Sequence, residues 1–160
     1  MISTVEKVLF LKSIDLFSQI PGEDLSQIAL ITDEVQFEEG DEIFREGDPG
    51  DTLYFVIDGK VRVHTGSEDI TVLGERQVVG EMALLDGEPR SASASALSNV
   101  TLLKIHRDDF HEILAEKAEI AQGVIKVLTR RLRNTLSERR RTGSPNTDPG
   151  FSGSTPRPGG

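Results

Sequence analysis

The 160-residue chain contains no cysteine, and this absence removes several kinds of site at once. Without a thiol there is no disulfide, no thiolate metal ligand and no cysteine nucleophile. Long apolar runs are also scarce: the run from Val8 to Leu11 ends at Lys12, far short of the roughly 18 residues of a membrane helix. The N-terminus lacks the basic and apolar segments of a secretory signal. These features predict a single-domain cytoplasmic protein, and membrane association is not expected.

Positive charge is scarce over most of the chain and concentrated near its end. Residues 1–125 hold 25 acidic and 10 basic side chains, a net charge of −15, whereas residues 126–141 hold 7 basic and 1 acidic side chain, a net charge of +6. The acidic body would repel nucleic acid over most of its surface. The basic cluster fits a solvated face near a helix C-terminus; RNA, acidic lipid or the acidic body itself are alternative partners.

Hydrophobic spacing divides the chain into four segments. Residues 1–33 keep the spacing of two short helices, and residues 34–106 carry short alternating apolar runs that glycines interrupt. Residues 107–142 return to helical spacing, while residues 143–160 are rich in glycine, serine and proline. The pattern predicts an N-terminal helical segment, a β core built as an antiparallel barrel or sandwich, C-terminal helices and a disordered tail.

Three local signals refine this outline. Ser3 and Thr4 are candidate N-caps of the first helix. Asp58-Gly59, between two apolar runs, is a hairpin signal of the type that needs a positive φ. In the C-terminal segment an apolar stripe recurs at spacings of three and four, and it would cover the barrel, a ligand or a second copy of the chain. Its members are Ile125, Leu128, Leu132 and Leu136.

Residues 79–92 hold the candidate binding site. Gly80 lets a ligand approach the backbone without meeting a Cβ. The short apolar helix that follows would leave the N–H groups of its first turn without intrahelical partners. Arg90 adds a positive charge, and Ser91 adds a hydroxyl donor beside it. Together these groups fit a phosphate diester.

Glu81 has a different role in the same stretch. A carboxylate does not suit a phosphate because like charges repel, so it would accept a hydrogen bond from a ligand hydroxyl, with a ribose 2′-OH as the natural partner. An acid for a sugar and Arg90 for a phosphate describe a nucleotide. Neither group is placed to attack the ligand, which predicts binding without turnover rather than an enzyme.

These motifs resemble those of the cyclic nucleotide-binding domains of bacterial transcription activators, cyclic-nucleotide-dependent kinases and gated channels. The stretch 80–92 is similar to that family's phosphate-binding cassette and keeps its Glu-to-Arg spacing, and the stretch 47–61 is similar to its hairpin signature. The likeness covers about residues 10–135. Val79 departs from the pattern, because the family usually has an aromatic residue there.

The resemblance implies a mainly β fold: an eight-stranded antiparallel jelly-roll barrel with N-terminal helices and a C-terminal lid helix. It also implies roles within the cassette. Glu81 would accept the ribose hydroxyl and Arg90 would hold the cyclic phosphate, while the amides of Met82 and Ala83 would reach the remaining phosphate oxygens. Ser91 would contact the phosphate or the base.

Cyclic AMP is the expected ligand, and cyclic GMP is the alternative because Ser91 suits either base. No cofactor or metal is expected. The candidate contacts for the base are Val72 in the β core and Leu128 and Leu132 on the C-terminal helix. Movement of that helix would carry the signal to an effector protein or to a second copy of the chain.

Other classes of protein fit the sequence less well. A ligand-free relative that acts as an interaction module for a partner or a membrane transporter would not need both Glu81 and Arg90. A metal-dependent cupin enzyme would need clustered histidines, but His64, His106 and His111 are scattered. No helix-turn-helix follows the long C-terminal helix, so DNA binding by this chain alone is not expected.

Overall fold

A computed structural model gives the fold of residues 1–142, including the side chains of all but 83–85 and 141–142; the predicted tail 143–160 lies outside the described residues. The helices in this range are α1 Thr4–Lys12, α2 Gly22–Leu30, α3 Glu81–Asp86, α4 Arg107–Glu116 and α5 Ala118–Thr142, with a 3-10 turn at Asp15–Phe17. The strands are β1 Thr32–Phe37, β2 Glu42–Phe44, β3 Thr52–Asp58, β4 Val61–Thr65, β5 Glu68–Leu73, β6 Val78–Val79, β7 Ser93–Ala96 and β8 Val100–His106. None of the helices in residues 1–142 combines the length and the hydropathy needed to cross a membrane.

The eight strands form two antiparallel four-stranded sheets. The first sheet has the order β1-β8-β3-β6 and the second the order β2-β7-β4-β5. Helices flank this β core at both ends of the sequence, which confirms the predicted mainly β architecture of eight antiparallel strands with flanking helices. β1 begins at Thr32, inside the predicted N-terminal helical segment, whereas α4 begins at Arg107 as the C-terminal segment does.

Strand β3 of the first sheet is buried on both faces over most of its length. Along β3, Leu53 and Phe55 pack against the helices, while Tyr54 and Val56 face the second sheet. Alternate residues of a strand point to opposite faces, so β3 supplies two cores at once. Burial on both faces explains why this strand is apolar at successive positions, where a half-exposed strand would alternate with polar residues.

The helical layer is fixed to the first sheet through the 3-10 turn. The ring of Phe17 meets the ring of Phe55 edge to face, with centroids 5.3 Å apart, and lies 6.0 Å from that of Phe110 in α4. All three rings are buried. Aromatic pairs with these separations add to the free energy gained by burial, so the turn is held firmly between the sheet and α4.

The first helix begins as its sequence predicts. The hydroxyl of Ser3 accepts a hydrogen bond from the Glu6 amide at 3.1 Å, and the Glu6 carboxylate accepts one from the Ser3 amide at 2.9 Å. This reciprocal pair is a capping box, which satisfies two amides at the start of α1. Ser3 is therefore confirmed as the N-cap.

The long helix α5 buries a different face from the predicted stripe. Its buried apolar side chains are Ile120, Val124 and Val127. Of the predicted stripe, Leu128 packs against the same core, and three members are exposed: Ile125, Leu132 and Leu136. A Cβ at Gly123 would lie 2.9 Å from the carbonyl oxygen of Gln19, so glycine permits α5 to approach the segment after the 3-10 turn.

The Asp58-Gly59 turn joins strands of different sheets, so the prediction of a hairpin there is wrong. β3 pairs with β6 and β8, whereas β4 pairs with β5 and β7. The predicted positive φ is present, at +96° for Gly59. A glycine signal of this kind specifies the local backbone conformation, and the partners of the flanking strands depend on packing elsewhere.

Candidate functional site

A cavity of about 310 Å³ lies between the second sheet and the predicted cassette. Its apolar lining includes Phe44, Val63, Leu73 and Val79. Five of the six predicted cassette residues also line it, namely Gly80, Glu81, Met82, Arg90 and Ser91. The sixth, Ala83, lies in the first turn of α3. The volume is at the lower end of the range for small-molecule sites, and the mixture of apolar walls with a few polar groups is typical of them.

Arg90 brings a buried positive charge to this cavity. Its side chain is only 6% exposed, and Nη2 donates to the carbonyl oxygen and the hydroxyl of Thr52 at 2.7 and 2.8 Å. Its guanidinium carbon lies 4.0 Å from the centre of the Phe44 ring, a cation–π contact. Nε and Nη1 are buried without an acceptor among the described residues. Burial lowers the pKa of Arg90 from its usual value, and two free donors on a desolvated cation suit an anionic ligand.

Two independent features of the structure require glycine at position 80. Its φ of +83° lies in the region that side chains disfavour, and it caps the start of α3. A Cβ there would also lie 2.5 Å from Nη1 of Arg90. Glycine thus both turns the chain into α3 and lets the guanidinium lie against the backbone.

The backbone of Arg90 is held by the second predicted motif. Its amide donates to the Asp48 carbonyl at 2.8 Å, and its carbonyl accepts from the Gly47 amide at 2.9 Å. The Glu46 amide in turn donates to the hydroxyl of Ser93 at 2.8 Å. The stretches 47–61 and 80–92, which carry the family resemblance, are therefore in direct contact. The stretch 47–61 fixes the backbone position of Arg90.

Glu81 is bound to the C-terminal helix. Both of its carboxylate oxygens accept from Nη1 of Arg131 in α5, at 2.9 and 3.0 Å. The same guanidinium donates to Oδ2 of Asp15 in the 3-10 turn, from Nη2 at 3.0 Å and from Nε at 3.2 Å. Arg130 also donates to Asp15, at 2.7 Å. Arg131 thus bridges the candidate ribose-binding carboxylate to the N-terminal segment.

Arg131 and Asp15 were not predicted as site residues, although the sequence carries a signal for Arg131. It continues the buried face of α5 at spacings of four and three, in the series Ile120, Val124, Val127 and Arg131. A basic residue that extends an apolar face needs an acidic partner. Burial opposes the charged form, but hydrogen bonds and the charges of Glu81 and Asp15 outweigh it and raise the pKa of Arg131.

The three predicted base contacts do not line the cavity. Thr71 and Leu73 of β5 line it, and Val72 between them points to the opposite face of the strand and is 45% exposed. Leu132 is 60% exposed, and Leu128 packs against the helical core. The side chains that β5 contributes to the cavity lining are therefore those of Thr71 and Leu73, and Val72 is not among them.

The histidines have local roles. His64 contacts the hydroxyl of Ser95 through Nε2 at 2.9 Å and the carbonyl oxygen of Gly66 through Nδ1 at 3.2 Å, within the second sheet. His106 stands at the N-cap of α4. Over residues 1–142, no three histidine, aspartate or glutamate side chains lie close enough together to hold a metal ion.

Residues 34–117 match the family model of the cyclic nucleotide-binding domain. The chain belongs to this family. The matched range runs from β1 to just past α4, so it includes Glu81 and Arg90 but ends before the helix that carries Arg131.

Known relatives of the family are regulators and channels. A CRP-like cAMP-activated global transcriptional regulator of Mycobacterium tuberculosis is 35% identical over an alignment of 122 residues that covers 71% of this chain and 54% of the regulator. A cyclic nucleotide-gated potassium channel of Mesorhizobium japonicum is 45% identical over 80 residues, which are 50% of this chain and 22% of the channel. The chain thus spans about half of the regulator's length and less of the channel's.

The fold agrees with that of a solved domain of similar sequence. The N-terminal domain of a transcriptional regulator from Streptomyces coelicolor superposes with a TM-score of 0.73 at 36% sequence identity, over 79% of this chain and 94% of that domain. The cavity and the predicted cassette therefore lie in a cyclic nucleotide-binding domain, and the chain covers nearly all of the Streptomyces domain.

Proposed function

We propose that the chain is a regulatory domain that binds cyclic AMP in the cavity and signals through α5. One observation carries this proposal: among the described residues, Nε and Nη1 of Arg90 are buried without hydrogen-bond partners, in a cavity that Glu81 also lines. Unpaired donors on a buried charge are costly, so a ligand anion that accepts from them would bind with a large gain. A ligand that also carries a hydroxyl group would satisfy Glu81.

Each cassette residue then has a defined role toward the nucleotide. Arg90 binds the cyclic phosphate, and the free amides at Met82 and Ala83 in the first turn of α3 donate to the remaining phosphate oxygens. Glu81 accepts from the ribose 2′-OH. Ser91, which lines the cavity, donates to the phosphate or to the base. The glycine that precedes the helix keeps the approach to the phosphate open.

The choice of cyclic AMP over cyclic GMP rests on the relatives and on the wall of the cavity. The mycobacterial relative is described as cAMP-activated. Thr71 and Leu73 contribute one hydroxyl and one apolar side chain from β5, and Phe44 adds an apolar ring. Ser91 is compatible with either base, so cyclic GMP is retained as the competing ligand in the test.

Signalling follows from the contact between Glu81 and α5. A ligand hydroxyl on Glu81 changes the free energy of the docked helix, and a ligand that favours one helix position shifts the population toward it. α5 exposes three apolar side chains that an effector protein or a second copy of the chain would cover: Ile125, Leu132 and Leu136. The signal is therefore a change in the position of the exposed apolar face of α5.

Titration calorimetry of the purified chain with cyclic AMP and cyclic GMP tests the proposal. We expect cyclic AMP to bind with a dissociation constant of about 1 µM or below, equivalent to about 8 kcal/mol, and cyclic GMP to bind more weakly. Absence of heat from either nucleotide at about 1 mM, equivalent to about 4 kcal/mol, would contradict the proposal. That result would favour the alternative of a ligand-free interaction module.

Replacement of Glu81 by glutamine should weaken cyclic AMP binding about tenfold, because a hydrogen bond to a charged acceptor contributes about 1.5–3 kcal/mol. The substitution should also reduce the preference for cyclic AMP over its 2′-deoxy analogue, since the neutral amide oxygen of glutamine is a weaker acceptor for the hydroxyl that the analogue lacks. The matched control is Glu88→Gln, which removes another carboxylate from the cavity lining. Equal losses for both variants would show that Glu81 acts only through its charge.

A further inference from the structure

We infer that Asp15 is a positioning residue for the carboxylate of Glu81 and acts through the guanidinium of Arg131. The inference rests on the proposed function, because it requires a ligand hydroxyl at Glu81. Asp15 belongs to the 3-10 turn, lies outside the cavity lining and precedes the range matched by the family model. It therefore adds a residue from the N-terminal segment to the control of the site.

The geometry divides one guanidinium between two carboxylates. Nη1 of Arg131 donates to Glu81, whereas Nη2 and Nε donate to Asp15. A guanidinium is planar and presents its donors as a rigid fork, so its orientation toward one carboxylate fixes what it offers to the other. With Asp15 in place, a single nitrogen of Arg131 faces Glu81.

This division leaves Glu81 able to accept a further hydrogen bond. An ionised carboxylate has about four acceptor positions, and Nη1 occupies one on each oxygen. Glu81 also lines both the ligand cavity and a second cavity of about 360 Å³ that Asp15 and Arg131 line. Without Asp15, the guanidinium of Arg131 is free to turn and pair with Glu81 through two nitrogens, which would re-orient the carboxylate and the acceptor positions that remain for a ribose hydroxyl.

Asp15 is itself held in place. The neighbouring side chains Leu16 and Phe17 are buried in the helical core, and Arg130 donates a third hydrogen bond to the Asp15 carboxylate. Close approach at Gly123 brings α5 against the same N-terminal segment. The carboxylate and the arginine therefore sit on elements that are packed together, as a positioning contact requires.

The test is the affinity of Asp15→Asn for cyclic AMP and for 2′-deoxy cyclic AMP, measured by titration calorimetry on the whole chain. We expect cyclic AMP to bind about fivefold more weakly, a coupling in the usual range for residues of one hydrogen-bonded network. The 2′-deoxy analogue should bind as it does to the parent. A purely structural role for Asp15 would weaken both ligands equally, and that result would overturn the inference.

Two further variants test whether Asp15 acts through the guanidinium of Arg131. Asp33→Asn, the same exchange at an exposed position of β1, should leave both affinities unchanged. In an Arg131→Gln background the Asp15 exchange should add nothing, because the guanidinium that carries its effect is gone. A persisting Asp15 effect there, or an equal effect of the Asp33 exchange, would overturn the positioning role while leaving cyclic nucleotide binding intact. Failure of the parent chain itself to bind either nucleotide would overturn the proposed function, and the positioning role with it.

Discussion

Replacement of Arg90 by methionine should weaken cyclic AMP binding at least about thirtyfold, a loss of about 2 kcal/mol or more. The expected loss is large because Nε and Nη1 are donors that the described protein leaves without acceptors, so the ligand supplies all of their partners. A charge-assisted hydrogen bond to phosphate is also stronger than a neutral one. Titration calorimetry on the variant measures the loss directly.

The same substitution should cost little stability in the absence of ligand. Arg90 is 6% exposed and carries a charge whose only hydrogen bonds among the described residues come from Nη2 to Thr52. Replacement of a buried and incompletely paired charge by an apolar side chain of similar volume is often neutral or stabilising. Methionine also keeps a favourable contact with the Phe44 ring. We expect the free energy of unfolding to stay within about 1 kcal/mol of the parent value.

Arg45→Met provides the control for this prediction. Arg45 lies on the loop after β2, is mostly exposed and pairs with Glu42 at 2.8 Å. Surface ion pairs contribute little, so the exchange should change neither affinity nor stability measurably. Cyclic AMP affinity of the Arg90 variant within threefold of the parent would contradict a phosphate-binding role for this side chain.

Parts of the site could be predicted from sequence because their chemistry is local. Gly80, Glu81 and Arg90 lie within one short stretch, and each residue type limits what it can do: glycine accepts a positive φ, and an acid and a base select different ligand groups. The structure places all three at one cavity. Their roles toward a ligand stay predictions that the titrations test.

Other parts of the site depend on contacts between distant segments. Arg131 meets Glu81 across 50 residues and Asp15 across 116, so no local spacing relates them. The sequence places Leu128 and Leu132 on the C-terminal helix but does not specify which side chain of that helix would reach a base. In the structure α5 turns the face of Val124 and Val127 inward and leaves Leu132 exposed. Which face of an amphipathic helix is buried depends on the surface that receives it.

The Asp58-Gly59 turn shows the difference between what local sequence determines and what contacts between distant segments determine. The requirement for a positive φ is a property of the dipeptide, and the structure confirms it. The assignment of β3 and β4 to different sheets depends on which strands pair with them, and β8 and β6 occupy the two edges of β3. The turn therefore links the two sheets, and it lies against the segment that contains Asn99 and Val100.

Gly59→Ala should consequently be among the most destabilising single changes in the chain. Its φ of +96° costs a side-chain residue about 1–3 kcal/mol. The new Cβ would clash with the carbonyl oxygen of Asn99 and lie 2.7 Å from Cγ1 of Val100, which belongs to the core between the sheets. Overpacking of this kind costs about 1–3 kcal/mol more. Equilibrium unfolding in urea should show a loss of about 2–6 kcal/mol.

Gly40→Ala isolates the contribution of the clash. Gly40 has nearly the same φ, +92°, but a Cβ there would meet nothing within 4 Å. Both substitutions restrict the unfolded chain equally, so the difference between their free energies of unfolding reports the contact with Asn99 and Val100. Equal losses for Gly59→Ala and Gly40→Ala would show that this contact relaxes freely. Because Gly59 lies outside the cavity lining, saturating cyclic AMP should stabilise both variants and the parent by the same amount, about 2.7 kcal/mol at one hundred times the dissociation constant.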